Sequence, residues 1–363
     1  MDLTQFFSGL KVVELASVLA GPAVGMFFAE LGAEVTKIEN AATQGDVTRR
    51  WRLPGEDTQR EYSAYYCSVN YRKQPIMLDL LSADGQEEAL QLIREADIVL
   101  SNFKRASAQK LGMDYASLRQ HRPGLIYAQL DAFGEEEALP AFDVVLQAEA
   151  GFLYMSGHPG QAPAKMPVAL IDLLAAHQLK EGILLALLHR HRTGEGSFVS
   201  TSLLEAAVSS LANQATNWLM EGFIPEPMGS QHPNIAPYGD IFYTADQKPV
   251  VIAAGTEKQF QQLCLALELP HLITDGRFAQ NAGRVVHRTA LNALLAPAFL
   301  RHNRAPLLEQ LHKAGVPVGS IRNMQEVFER PAAKALIREE KMPDGTLSRR
   351  ASSLAFRITA EHR

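Results

Sequence analysis

The chain has 363 residues, 47% of them hydrophobic: enough for one large or two medium domains with a substantial core, and too apolar for a largely disordered chain. Its 35 basic against 40 acidic residues leave a formal charge of −5 with no basic block, which argues against general nucleic-acid binding. Two cysteines, Cys67 and Cys264, exclude a disulfide scaffold and a cysteine-rich zinc site and fit a reducing compartment. The opening residues lack a basic segment followed by a long apolar run, so no leader is expected. The longest apolar helical stretch, near 183–188, falls short of the ~20 residues that span a bilayer. The expectation is a soluble cytoplasmic α/β protein.

Residues 11–16 read as a short buried strand. Gly21-Pro22 opens a helix, since proline suits a first helical turn, and Gly32 stands where a C-cap belongs. Residues 34–39 follow as a second strand, completing a βαβ unit. The pattern repeats with strand 76–80, helix 83–95, strand 98–100, helix 111–120 and strand 125–130. Such alternation implies a doubly wound parallel sheet, whose ligands bind beyond the carboxyl ends of its strands. Further on, one long helix is expected over 172–192, ended by Thr193-Gly194-Glu195-Gly196, then a strand at 198–201 and a second long helix over 202–220. A proline-rich loop follows at 225–237. A hairpin of 241–244 and 250–254 turns near Asp246-Gln247, and helices are expected near 257–267, 285–299 and 305–314. These patterns place a large domain at 1–200, a small one at 225–310 and a return to the first over 320–363.

Several motifs invite a chemical reading. Gly21-x-x-x-Gly25 has the wrong spacing for a dinucleotide fingerprint and holds a proline, so a tight turn and close helix packing explain it better. His189-Arg190-His191-Arg192 complements a helix C-terminus more simply than it binds a metal. Asn102-Phe103-Lys104-Arg105 follows a strand at its ligand-binding end, or is a solvated basic loop. Asp172 begins a long apolar helix. It reads as an N-cap, or as a partly desolvated nucleophile that the helix end keeps ionised, with free N–H groups ready for an oxyanion.

The chain resembles the family III CoA-transferases, a superfamily shared with the α-methylacyl-CoA racemases. The resemblance runs through Gly9-Leu10-Lys11-Val12-Val13-Glu14-Leu15, Ala20-Gly21-Pro22, Leu31-Gly32-Ala33-Glu34-Val35 and Lys37-Ile38-Glu39. It continues with Asn70-Tyr71-Arg72-Lys73, Leu78-Asp79-Leu80, Asn102-Phe103, Phe142-Asp143-Val144-Val145-Leu146-Gln147-Ala148, the Asp172 segment, Arg192-Thr193-Gly194-Glu195-Gly196, 232–238 and Ala314-Gly315-Val316-Pro317. It implies a Rossmann-like large domain plus a small α+β domain, in a homodimer whose subunits interlock like chain links. Asp172 would be the nucleophile that moves CoA from an acyl-CoA to a carboxylic acid, with no tightly bound cofactor, no metal, and neither nucleic acid nor membrane as partner. Val18, Leu19 and Ala20 would meet the thiol end of CoA, Asn102 and Phe103 would flank it, and Lys110 would stand near its phosphates; Arg72 and Lys73 are further candidates for the phosphates on charge grounds.

The sequence departs from the pattern in places. Leu19 replaces a frequent polar residue, Asn40 stands where several members carry Arg or Pro, and Pro140-Ala141 replace a cation. Met228-Gly229-Ser230-Gln231-His232 does not match the glycine-rich flap of formyl-CoA transferases. Phe142 stands where racemases place a proton-transferring histidine; His158 and His177 lie elsewhere. A racemase and a catalytically silent CoA-binding homologue are the alternatives. The loop carrying His232, Asn234 and Tyr238 either shapes the acceptor pocket or braces the domain junction.

Overall fold

The computed structural model describes residues 2–135, 137 and 139–359. The chain forms two compact units. The first comprises Met1–Leu153, Lys165–Ile224 and Pro331–Arg363, and the second Tyr154–Ala164 and Pro225–Arg330.

The first unit contains, in chain order, β1 (Lys11–Leu15), α1 (Ala20–Glu30), β2 (Glu34–Asn40), β3 (Lys73–Leu78), α2 (Ala83–Glu95), β4 (Ile98–Ser101), α3 (Arg105–Lys110), β5 (Ile126–Asp131), α4 (Asp143–Glu149), α5 (Leu170–Thr193), β6 (Ser197–Ser202) and α6 (Leu203–Ser209). The strands form one parallel sheet in the order β3-β2-β1-β4-β5-β6. Val12 pairs with Val35 on one side and Ile98 on the other. Alternate residues feed opposite faces, because strand side chains alternate. Val12, Ile98 and Ile126 pack with Phe28 of α1 and Ile171 and Ile183 of α5. Val13, Leu15 and Val99 pack with Ala89 and Ile93 of α2. The strand order reverses between β1 and β4, and there the carboxyl ends open a crevice.

Three expected helices are broken. Residues 111–120 do not form one helix: α3 ends at Lys110, Gly112 takes φ +64°, and a short helix at Tyr115–Leu118 is capped by Asp114, whose Oδ1 accepts the Ser117 N–H at 3.2 Å. The helix expected over 202–220 stops after α6 and resumes at Asn213–Glu221, because Ala212 adopts φ +49°.

The second unit holds β7 (Tyr238–Tyr243), β8 (Pro249–Ala253), α7 (Glu257–Ala266), α8 (Asn281–Val286), α9 (Arg288–Phe299), α10 (Arg304–Lys313) and β9 (Val318–Ser320). The third break falls between α8 and α9, at His287. The three strands form an antiparallel sheet, β7-β8-β9, and Phe242, Val250, Phe260, Leu295 and Phe299 give this unit its own core. It reaches beyond the expected 225–310 because β9 pairs with β8, Ser320 opposite Val250. It also takes in 154–164, where the Gly229 N–H donates to Gly157 O at 2.7 Å. The chain rejoins the first unit at Pro331, later than the expected 320, and adds the hairpin β10 (Ile337–Lys341) and β11 (Leu347–Ala351). The end of that expected segment, 360–363, lies outside the described residues. Among the described residues, no helix is long and apolar enough to cross a membrane.

Candidate active site

The turn from β1 into α1 is unusually constrained. Val18 adopts φ +74°, a conformation that a β-branched residue rarely takes. Its N–H donates to Asp46 Oδ2 at 3.1 Å. Asn102, just past β4, clamps the preceding residue from the other side. Its Nδ2 donates to Ser17 O at 3.1 Å, and its Oδ1 accepts the Ser17 N–H at 3.3 Å. Gly21 and Gly25 serve packing rather than phosphate binding: a Cβ on Gly21 would overlap Ala16, and one on Gly25 would overlap the Glu14 carboxylate. Leu19 is half-buried and packs on the core, and Ala20 is buried at the start of α1.

A chain of alternating charges runs under this turn. Lys37 Nζ lies 3.1 Å from Asp46, donates to Glu14 at 2.9 Å and to Ala16 O at 2.7 Å. Lys73 Nζ donates to Glu14 at 2.7 Å, to Pro22 O at 2.8 Å and to Asn70 Oδ1 at 3.0 Å. An ammonium has three protons, and these partners take all of them. The expectation that Lys73 meets a CoA phosphate is therefore corrected: its side chain is buried and neutralises Glu14.

Beyond the carboxyl ends of β1 to β4 lies a cavity of about 530 Å³. Leu15, Ile38, Leu80, Phe103 and Leu111 form apolar walls, and Asp46 and Arg50 are among its charged lining residues. Of the residues expected at CoA, Phe103 lines this cavity and Asn102 secures its edge. Val18, Leu19 and Ala20 lie in the adjoining turn, where Ser17 is the lining residue. Lys110 is exposed in the last turn of α3 and does not line the cavity. Arg72 is exposed just before β3, at the amino end of the sheet, and its N–H donates to Glu340 at 3.0 Å. In a parallel sheet that end is opposite the cavity, so Arg72 and the cavity are not brought together.

Asp172 is not the N-cap of its helix. α5 starts at Leu170, Ala169 is the N-cap and makes no side-chain cap, and Asp172 is the third helical residue. The exposed N–H groups of that end are capped from another element. Asp143 Oδ2, from the start of α4, accepts the N–H of Ile171 at 2.7 Å and of Asp172 at 3.3 Å. Gln147 fixes Asp143 in turn: its Nε2 donates to Asp143 Oδ1 at 2.5 Å, and its Oε1 accepts the Met166 N–H at 2.9 Å. Asp172 is only 7% exposed, and burial followed by the Asp143 charge pushes its pKa up to about 7. The helix end, expected to keep the carboxylate ionised, is outweighed by desolvation.

Tyr65, which the sequence reading passed over, shares this environment. Burial, then the charges of Asp172, Asp143 and Asp46, push its phenol up to about 12, so it stays a neutral donor. Trp51 stands edge-on to Tyr65 at 5.1 Å between ring centroids, and Phe142 lies 6.1 Å from Trp51. Phe142, in the place of a racemase base, supplies no proton. His177 is exposed on α5.

In the second unit, the 232–238 loop is fastened by α8 and α9. Arg288 donates to His232 O and Ile235 O, both at 2.5 Å, Arg284 Nε donates to Ala236 O at 2.7 Å, and Asn281 Nδ2 donates to Asn234 O at 2.8 Å. The His232 and Tyr238 rings lie 5.2 Å apart.

Comparison with known proteins places the chain. It is 36% identical to the succinate–glutarate CoA-transferase of Agrobacterium fabrum, over 94% of this chain and 86% of that protein. It is 34% identical to the acetyl-CoA:oxalate CoA-transferase of Acetobacter aceti, over 91% and 84%. The crystal structure of a CAIB/BAIF family protein from Brucella suis superposes with a TM-score of 0.85 at 37% identity, covering 97% of this chain and 92% of that one. The family description CoA-transferase family III matches residues 7–362, and the chain belongs to that family.

Proposed function

We propose that the protein moves CoA between carboxylic acids through covalent intermediates on Asp172. The observation that carries this reading is the Asp172 carboxylate itself: buried, on the first turn of α5, with a pKa near 7 and a neutral phenol in its electrostatic reach. The ionised carboxylate attacks the thioester carbonyl of a donor acyl-CoA. A mixed anhydride forms and CoA thiolate leaves. The thiolate then attacks the aspartyl carbonyl, giving an aspartyl–CoA thioester and the free donor acid. An acceptor carboxylate attacks that thioester, and the steps run in reverse to a new acyl-CoA. Every intermediate is an activated acyl group, so no other energy source is required. Water must be kept out to preserve the anhydride, and the burial of Asp172 suits that need. CoA extends from Asp172 into the cavity beyond β1 to β4, between Phe103 and the turn that Asn102 clamps.

Dicarboxylic acyl-CoAs, succinyl-CoA first, are the donors to test, because the relatives named above act on succinate, glutarate and oxalate. The working unit is an interlocked homodimer. Exposed apolar side chains on Asn213–Glu221 and the residues after it, Trp218, Leu219, Met220, Phe223 and Ile224, support a covering second copy. Incubation with each donor followed by intact-mass spectrometry tests the chemistry. The expected product is protein plus CoA less water, absent from Asp172→Ala. Bound CoA esters with no adduct, and α-proton exchange in heavy water, would replace the transferase by a racemase.

A further inference from the structure

We propose that Arg50 binds a phosphate of the CoA substrate at the rim of the cavity beyond β1 to β4; the inference rests on the transferase reading. Four other charged residues line that cavity: Lys37, Glu39, Asp46 and Asp79. The first three are spent within the fold. Lys37 is held by Glu14 and Asp46. Glu39 accepts Arg49 Nε at 2.7 Å and the Tyr66 hydroxyl at 2.7 Å. Asp46 accepts the N–H groups of Val18 and Thr48. Asp79 is exposed and accepts the Leu81 N–H.

Arg50 differs. It is the last residue of the single-turn helix Val47–Arg50, is exposed, and its guanidinium makes one weak contact, 3.5 Å to Gln44 Oε1. Among the described residues no carboxylate lies within ion-pair distance of it. On its other side it borders a second recess of about 370 Å³, whose lining includes Arg49, Arg52 and Glu61. Arg49 is committed to Glu39 and Glu61, and Arg52 to Glu56 and the carbonyls of Asp57 and Arg60. Among the described residues, Arg50 is thus the guanidinium on this cavity that no carboxylate of the fold engages.

That pairing of chemistries matches the nucleotide end of CoA. The flat faces of an adenine base stack on walls such as Ile38, Leu80 and Phe103, and a guanidinium beside them can grip two phosphate oxygens at once. The cations read from sequence do not offer this, since Lys73 is consumed and Arg72 and Lys110 lie off the cavity.

The test is calorimetric binding of CoA, dephospho-CoA and pantetheine to the full-length wild type, Arg50→Gln and Arg50→Lys. Arg50→Gln is expected to bind CoA about tenfold more weakly, with Arg50→Lys between the two and pantetheine bound equally by all three. A penalty that disappears with dephospho-CoA assigns Arg50 to the 3′-phosphate, and one that persists assigns it to the diphosphate; either supports the proposal. Unchanged CoA binding by Arg50→Gln, or an equal loss for pantetheine, overturns it while leaving the transferase reading intact. If the wild type binds no CoA, the transferase reading falls and this proposal falls with it.

Discussion

In the proposed reaction Asp172 must be ionised to attack a thioester, and its surroundings resist that. Burial and the neighbouring Asp143 charge raise its pKa to about 7, so the carboxylate proposed to react gains its charge around neutral pH. The raised pKa also makes the carboxylate a better nucleophile once formed. The rate of covalent adduct formation in single-turnover experiments is therefore expected to rise with pH along a one-proton curve with a midpoint near 7. Asp143→Asn keeps an oxygen that can accept the Ile171 and Asp172 N–H groups and removes the negative charge. Its midpoint moves to lower pH, because a like charge disfavouring the carboxylate has gone. A purely structural role for Asp143 would lower the rate at every pH and leave the midpoint in place.

The β1–α1 turn shows how an element is held in a conformation that its own residues resist. A left-handed Val18 costs on the order of 1–3 kcal/mol and persists only because its surroundings fix it. Asp46 does this by accepting the Val18 N–H while neutralising the buried Lys37. Asp46→Ala breaks both contacts and leaves Lys37 with one carboxylate partner, so denaturant unfolding is expected to show a loss of about 3–5 kcal/mol. Asp79→Ala, at an exposed carboxylate on the same cavity, is expected to cost under about 1 kcal/mol. Equal effects would refute the bracing role of Asp46. At this scale the sheet was readable because parallel strands buried on both faces are short apolar runs, as in Val12-Val13 and Ile98-Val99-Leu100. Two of the helix breaks were not, because Ala212 and His287 carry no turn signature, whereas the break at 111–120 falls at Gly112. The β10–β11 hairpin escaped because its buried positions include Ser348 and Arg350, which give no apolar alternation. The segment of the proposed nucleophile stood out in the sequence, but its hydrogen-bond partners did not. Asp143 caps a helix 29 positions further along, and Lys73 is paired with a glutamate 59 positions before it, and no local pattern encodes such distances.

For the molecule as a whole, the exposed apolar surface of the first unit needs an account. Leu185 is 68% exposed on α5, and Trp218, Leu219 and Met220 are 53%, 78% and 73% exposed on Asn213–Glu221. Single exposed leucines are ordinary, but consecutive large side chains of this kind mark an association surface. A second copy of the chain is the proposed cover, and its topology makes a sharp prediction. Two subunits that merely touch obey mass action and separate on dilution below their dissociation constant. Two subunits threaded through one another cannot part without opening the fold, so their separation is limited by unfolding rather than by interface energy. Sedimentation velocity from micromolar to nanomolar concentration is therefore expected to give one dimeric species throughout. Mixing two differently tagged preparations is expected to yield no hybrid dimers under native conditions, and hybrids only after denaturation and refolding. A monomer at low concentration, or hybrids that appear without denaturant, would show a surface-to-surface dimer and rule out the interlocked one.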